Sequence, residues 1–362
     1  MNKRLWKTGT AVLFMLALII AGCSSKSSSN APGTADKPGK ARLAIAASFY
    51  PMAEFARQVA GDLADVKNLV PAGTEPHDWE PTPQDMKLLE QADILIYNGA
   101  GMEHWVDKVL GSLGNSKLVA VEASAGVQLM AGSGHEHEDE DGHNHEAADK
   151  AHEAGHDHEH NADPAEQESS HDHASNAAHE EDHDHDHGEF DPHVWLSPRL
   201  AIEQVRSIEA ALVKADPEHT EAYHANAQGY IAKLEALDAK FKEEIGKLKR
   251  KELVTQHAAF GYLAKEYGLT QVAVAGLSPE QEPSAERLAE LVTFSREHQV
   301  KAIFFETLVS SKVAETLANE IGAKALVLNP LEGLTADEEK QGLDYIGVME
   351  RNLQSIVDGL SL

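Results

Sequence analysis

The residue types in this chain best suited to chemistry are histidines set among carboxylates. Fourteen of the 21 histidines fall within residues 134–189. They are His135, His137, His143, His145, His156, His158, His160, His171, His173, His183, His185 and His187, with His152 and His179 completing the set. From His135 to Asp191 the sequence carries 21 Asp or Glu against one basic residue, Lys150. Runs such as His183-Asp184-His185-Asp186-His187 put imidazoles two residues apart. Neutral imidazole is a good ligand for zinc, copper and nickel. Almost nothing in the tract can bury apolar surface, so it is expected to be disordered without metal. Many ligand combinations of similar energy imply several loose sites. The composition points to metal binding and leaves the metal open.

Seven histidines lie elsewhere. His104, His219, His224 and His298 sit in helical or helix-flanking polar stretches and read as surface residues. The other three have a different setting. His77 lies in the Pro/Gly-punctuated segment PAGTEPHDWEP, residues 71–81. His193 lies in FDPHVWLSP, residues 190–198, at the entry to a helix, and His257 in TQHAAFG, residues 255–261, directly after a strand pattern. All three fall at or beyond strand ends, where open α/β sheets bind ligands. Cys23 is the only cysteine, so no intrachain disulfide and no Cys-rich zinc cluster can form. Any defined metal site must be built from His and carboxylate.

The elements that would position these residues alternate between strand and helix. Strand patterns fall at residues 43–47, 66–70, 93–97 and 117–121, with helical patterns at 49–60, 83–91 (Thr82 as N-cap) and 102–110. After the His-rich tract come helices at 198–214 and from 217 to about 249. The latter carries an apolar stripe of Tyr223, Tyr230, Leu234, Leu237, Phe241, Ile245 and Leu248 at intervals of mostly three and four. Strands then recur at 252–255, 271–275, 302–305 and 325–328, with helices at 258–267, 284–298, 311–321 and 337–360. The expected fold class is α/β: two similar lobes, each a parallel sheet of about four strands flanked by helices, joined by a long rigid helix. No residue-level repeat relates the halves.

The N-terminus reads as an address. Lys3, Arg4 and Lys7 precede an apolar stretch at 11–21 that is too short for a confident membrane span. It ends Ile20-Ala21-Gly22-Cys23, which resembles a bacterial lipoprotein signal with Cys23 as the lipidated mature N-terminus. The expected organisation is a signal peptide at 1–22 and a flexible tether at 23–40, which is rich in Ser, Gly, Pro and Lys. A first lobe follows at 41–133 and 190–215, interrupted by the metal-binding loop at 134–189. A connecting helix at 216–250 and a second lobe at 251–362 complete it. The formal net charge of -29 argues against a nucleic-acid partner, and the His-rich tract supplies about two-thirds of it.

Taken in order, the segments PAGTEPHDWEP, DPHVWLSP and TQHAAFGYLA, with LSPEQEPS at 277–284 and LNPLEG at 328–333, resemble the zinc/manganese solute-binding lipoproteins of ABC importers, the ZnuA/TroA type. The resemblance covers roughly residues 41–360. It implies two α/β lobes with a metal in the cleft between them. It also implies His77 and His193 as ligands from the first lobe and His257 from the second. The fourth ligand is expected to be Glu332, with Glu75 and Glu306 as alternatives. Asn329 is discounted because an amide is a poor zinc ligand. Three imidazoles and one carboxylate suit four-coordinate zinc, whereas manganese prefers more oxygen. Zn2+ is therefore the expected transported ligand, ahead of Mn2+. The expected partners are an ABC permease and its ATPase, with the membrane reached through the lipid anchor on the extracytoplasmic face, for a monomeric chain that is not an enzyme. The rival readings are a manganese-binding counterpart, a metal buffer or cell-adhesion protein, and a secreted zinc hydrolase. No His-Glu-x-x-His motif supports the last.

Overall fold

The computed structural model describes residues 42–132 and 190–362. The expectations for Cys23, the signal peptide, the tether and the His-rich tract concern residues outside this set.

The first lobe contains β1 (Leu43–Ala47), α1 (Tyr50–Ala60), β2 (Ala64–Asn68), α2 (Pro83–Leu89), β3 (Ile94–Tyr97), α3 (Val106–Ser112), β4 (Val119–Glu122) and α4 (Pro198–Ala215). Its strands are all parallel, in the order β2-β1-β3-β4. Helix α5 (Thr220–Gly246) follows a short 3-10 turn at Pro217–His219. The second lobe contains β5 (Glu252–Thr255), α6 (Gly261–Tyr267), β6 (Thr270–Ala273), α7 (Ala285–Glu297), β7 (Ala302–Phe305), α8 (Lys312–Ile321), β8 (Lys324–Val327), α9 (Ala336–Lys340) and α10 (Tyr345–Leu360). Its sheet has the same parallel pattern, β6-β5-β7-β8. In each sheet the chain leaves the first strand one way and the third strand the other. The C-terminal ends of β1 and β3, and of β5 and β7, are therefore switch points where a crevice opens.

Helix α5 is buried along Tyr223, Ala227, Tyr230, Leu234, Leu237, Phe241 and Ile245. That stripe packs on α4 and α1 of the first lobe and on α10 and α6 of the second. Among the described residues no helix is long and apolar enough to cross a membrane.

Several boundaries differ from those read in the sequence, each for a local reason. Helix α3 starts at Val106 and not near 102: after the positive-φ run Gly99-Ala100-Gly101, the Glu103 carboxylate turns back to accept the Asn98 and Gly99 N–H groups at 2.8 and 3.0 Å, and the chain turns before the helix begins. Helix α6 starts at Gly261 and not at 258: residues 256–260 turn, with the Ala258 N–H donating to the Gly276 carbonyl and the Thr255 hydroxyl to the His257 carbonyl. The single helix expected at 337–360 is two. Gly342 turns the chain at φ 69°, and the Asp344 carboxylate caps α10 by accepting from the Gly347 N–H at 2.8 Å. Strand β2 lies two residues earlier than expected, set by its register Leu43↔Ala64 to Ala47↔Asn68. The connector expected at 216–250 is helical as α5 only over Thr220–Gly246.

Helix α10 meets its sheet at Gly359. A Cβ there would lie 2.6 Å from Phe304 Cζ and 2.9 Å from Ala302 Cβ. Gly359→Ala is therefore expected to destabilise the chain by about 1–3 kcal/mol through overpacking, despite the better helix propensity of Ala. Urea denaturation should show a lower midpoint; an unchanged or higher midpoint would mean the contact yields freely.

Candidate metal centre

The loops that leave the C-terminal strand ends converge on one buried point. The loop after β2 carries His77. The segment leading into α4 carries His193, which caps a 3-10 turn (Val194–Leu196) that Ser197 and Pro198 hand over to the helix. His257 lies two residues past β5, and Glu332 lies beyond β8. His193, His257 and Glu332 are at most 1% exposed, while the His77 side chain is 11% exposed. One ligand atom from each of the four lies within 4.8 Å of all the others.

Individual separations are narrower still. His77 Nε2 is 3.3 Å from His193 Nε2, and His193 Nε2 is 3.2 Å from His257 Nε2. Glu332 Oε1 is 3.3 Å from His77 Nε2 and 3.4 Å from both His193 Nε2 and His257 Nε2. A tetrahedral ion with bonds of about 2.0–2.1 Å holds its ligand atoms about 3.3 Å apart. Five edges of the cluster therefore have the length such an ion requires.

The nitrogens are also oriented for it. His193 Nδ1–H donates to Asp191 Oδ1 at 2.8 Å, and the same oxygen accepts the His193 backbone N–H at 3.0 Å. His257 Nδ1–H donates to Glu306 Oε1 at 2.5 Å, and that oxygen also accepts the His257 backbone N–H at 3.0 Å. With Nδ1 protonated, each neutral ring turns an Nε2 lone pair inward. Two such lone pairs 3.2 Å apart repel unless a cation or a proton lies between them.

The titration of the cluster follows from burial set against charge. For Glu332 burial favours the neutral acid, but hydrogen bonds from His193, His257 and His77 outweigh it and hold the carboxyl well below the usual range. For His257 burial favours the neutral ring, yet the charge and hydrogen bond of Glu306, with Glu332 behind it, push its pKa up to about 10. His193 is opposed by burial but raised by Asp191 and Glu332. His77 is lowered, chiefly by burial.

The remaining carboxylates are placed differently. Glu306 stands behind His257, outside the four-atom cluster. Glu75 accepts the His77 backbone N–H at 2.9 Å, and burial together with the Glu332 charge pushes its pKa up to about 8. Asn329 braces the ligand loop: its Oδ1 accepts the Leu331 N–H at 2.7 Å, next to a φ of 57° at Leu331. His219 and His224 pair with Asp216 and Glu209, while His104 and His298 are exposed. The sequence reading missed Asp191 as the partner of His193, although an acid two residues before the histidine in DPH was the available sign.

Two parallel α/β sheets, with three histidines and one glutamate converging in the crevice, define a two-lobed solute-binding protein. The profile of the family described as zinc-uptake complex component A, periplasmic (ZnuA), matches residues 45–359, and the chain belongs to that family. It is 46% identical over 353 residues to the high-affinity zinc uptake system protein ZnuA of Bacillus subtilis (strain 168), covering 98% of this chain and 97% of that one. It is 40% identical over 342 residues to the zinc-binding lipoprotein AdcA of Streptococcus pneumoniae serotype 4, covering 94% of this chain and 58% of that relative. Among solved structures, the Zn(II)-bound ZnuA-like domain of Streptococcus pneumoniae AdcA aligns with a TM-score of 0.67 at 38% identity. That alignment covers 89% of this chain and 100% of that one.

Proposed function

We propose that this protein captures Zn2+ outside the cytoplasm and delivers it to an ABC permease driven by its ATPase. The observation that carries the reading is the set of 3.2–3.4 Å separations among His77, His193, His257 and Glu332. Three imidazoles and one carboxylate at tetrahedral spacing suit zinc, and they offer manganese too few oxygens. Copper would bind such a set tightly by intrinsic affinity, so selection also rests on which metal is available. Four protein ligands leave no open coordination position for water, which favours carriage of the ion over hydrolysis. The names of the relatives, a zinc uptake protein and a zinc-binding lipoprotein, support the same cargo and a lipid anchor at Cys23.

The route in and out follows the exposure of the ligands. His77 alone reaches solvent, on a loop whose Asp78 and Glu80 are exposed. The lobes themselves are tied together. Trp195 Nε1–H donates to the Pro330 carbonyl at 2.8 Å, the Tyr345 hydroxyl to the Trp195 carbonyl at 2.5 Å, and the Gly73 N–H to the Leu334 carbonyl at 3.1 Å. Movement of the His77 loop, with a modest tilt of the lobes, is the economical way to release the ion. The His-rich tract at 134–189 then serves as an accessory collector that raises the local zinc concentration.

Metal analysis with competition titration tests this. The mature chain should hold one tight zinc, plus weaker equivalents that vanish when residues 134–189 are deleted. His257→Ala should abolish the tight site. Loss of all tight binding on deletion would move the site into the tract. Tight manganese binding indifferent to His257→Ala would overturn the zinc reading.

A further inference from the structure

The segment Asp191-Pro192-His193 belongs to the first lobe, but the second lobe also grips it. Met130 and Asp191 lie side by side on antiparallel backbones, next to the Ala131↔Phe190 bridge. The Asp191 N–H donates directly to the Met130 carbonyl at 2.9 Å. The reciprocal link runs through the Tyr262 hydroxyl of α6. That hydroxyl accepts the Met130 N–H at 3.0 Å and donates to the Asp191 carbonyl at 2.8 Å. A side chain of the second lobe thus closes a backbone pairing in the first. Tyr262 is 3% exposed, so water does not compete for these bonds.

The residue before it adds a steric condition. A Cβ on Gly261 would lie 2.6 Å from Asp191 Oδ2. The backbone of α6 therefore abuts the same carboxylate whose other oxygen holds His193 Nδ1–H. Only glycine leaves that carboxylate where it is. From the first lobe the segment is held independently: Asn98 Nδ2–H donates to the Pro192 carbonyl at 2.9 Å.

We propose that Gly261 and Tyr262 are positioning residues through which the second lobe aims His193, so that this first-lobe ligand is set for metal only while the lobes are docked. The proposal rests on His193 being a metal ligand. Its consequence is that separating the lobes does more than carry His257 and Glu332 away. It also frees Asp191, so His193 loses its orientation in the same movement. Capture and release thereby become steeper functions of lobe docking than four independent ligands would give.

The test is a set of zinc competition titrations on the full chain, with Co2+ absorption as a report on ligand geometry. Tyr262→Phe keeps the ring and removes both hydrogen bonds. It should weaken zinc binding about 10–100-fold, the usual cost of losing a group that orients a ligand, and should shift the Co2+ bands. In an Asp191→Ala background the same change should cost no more than about twofold, because the path through Asp191 is already cut. Gly261→Ala keeps the tyrosine bonds but displaces Asp191, and it should likewise weaken binding only where Asp191 is present. Equal losses in both backgrounds would overturn the proposal, as would wild-type affinity in Tyr262→Phe. The underlying site is checked separately by His193→Ala. If that variant binds zinc normally, the metal-site reading fails, whatever Tyr262 does.

Discussion

Glu332→Gln is expected to weaken zinc binding by about a hundred- to a thousandfold. Zinc held by a complete set of four protein ligands is worth about 10–16 kcal/mol, so one ligand accounts for about a quarter of that. Glu332 is also the only anion among the four, and an amide oxygen is a poor substitute. The change is nearly isosteric at a site 1% exposed, so the metal-free chain should still fold, with His257 giving up its proton more readily once one of its two carboxylate neighbours is neutral. Competition titration against a zinc chelator measures the loss. Glu75→Gln is the discriminating control. Glu75 contacts the His77 backbone and lies outside the four-atom cluster. A greater loss for Glu75→Gln than for Glu332→Gln would make Glu75 the fourth ligand.

The second large effect is on pH. With its pKa pushed up to about 10, His257 in the metal-free protein carries a proton at neutral pH. Zinc needs the Nε2 lone pair, so binding must expel that proton. Apparent affinity should therefore rise about tenfold per pH unit, or about a hundredfold from pH 6 to 8, with His193 adding to the slope where it titrates. Calorimetry in buffers of different ionisation enthalpy, run at about pH 7.5, should count at least one proton released per zinc. An affinity flat over that range would show that His257 is already neutral.

The stability of the metal-free chain should move in the opposite sense. The raised His257 pKa stabilises the fold fully below about 6.5, and that contribution is lost as pH rises towards about 10. The depressed Glu332 pKa stabilises above about 4.5, and its contribution is lost as pH falls further. Between about pH 6.5 and 4.5, therefore, acid opposes zinc while both contributions to the fold stay in place.

Much of this molecule was legible in its sequence, for reasons that can be named. Short apolar runs such as Leu43–Ala47 and Ala302–Phe305 stand between Gly/Pro loops and helical stripes, so the two sheets could be read as alternation. His77, His193 and His257 stood out because each falls in a loop at a strand end. What failed was information carried by dihedral angles or by distant partners. Nothing in the sequence marks Ala100 as adopting φ 55°, or Glu103 as folding back onto the Asn98 and Gly99 N–H groups ahead of α3. Glu306 stood as an alternative ligand because it follows β7 towards the crevice. Sequence cannot say which imidazole nitrogen a carboxylate will meet, and Glu306 meets Nδ1 of His257, the side away from the cluster. The Tyr262 hydroxyl bridges Met130 and Asp191 across 132 and 71 residues, and no local pattern announces such a bond. The break at Gly342 and Asp344 follows ordinary capping rules, and the run from Asp337 to Gly342, which has no apolar side chain to continue a helical stripe, was the available sign of it.

The burial of α5 against both lobes has a thermodynamic consequence. Its inner face belongs to one continuous core that runs from Phe55 of α1 through Tyr230 and Phe241 to Tyr267, Phe304 and Tyr345 of the second lobe. Phe55 meets Tyr345 edge-on at 5.1 Å, and Phe241 meets Tyr267 at the same separation. Neither sheet can melt without stripping apolar surface from the other, at roughly 25 cal/mol for each Å2 exposed. The two lobes, although each has its own sheet, are therefore expected to unfold together, each losing part of its core when the other opens.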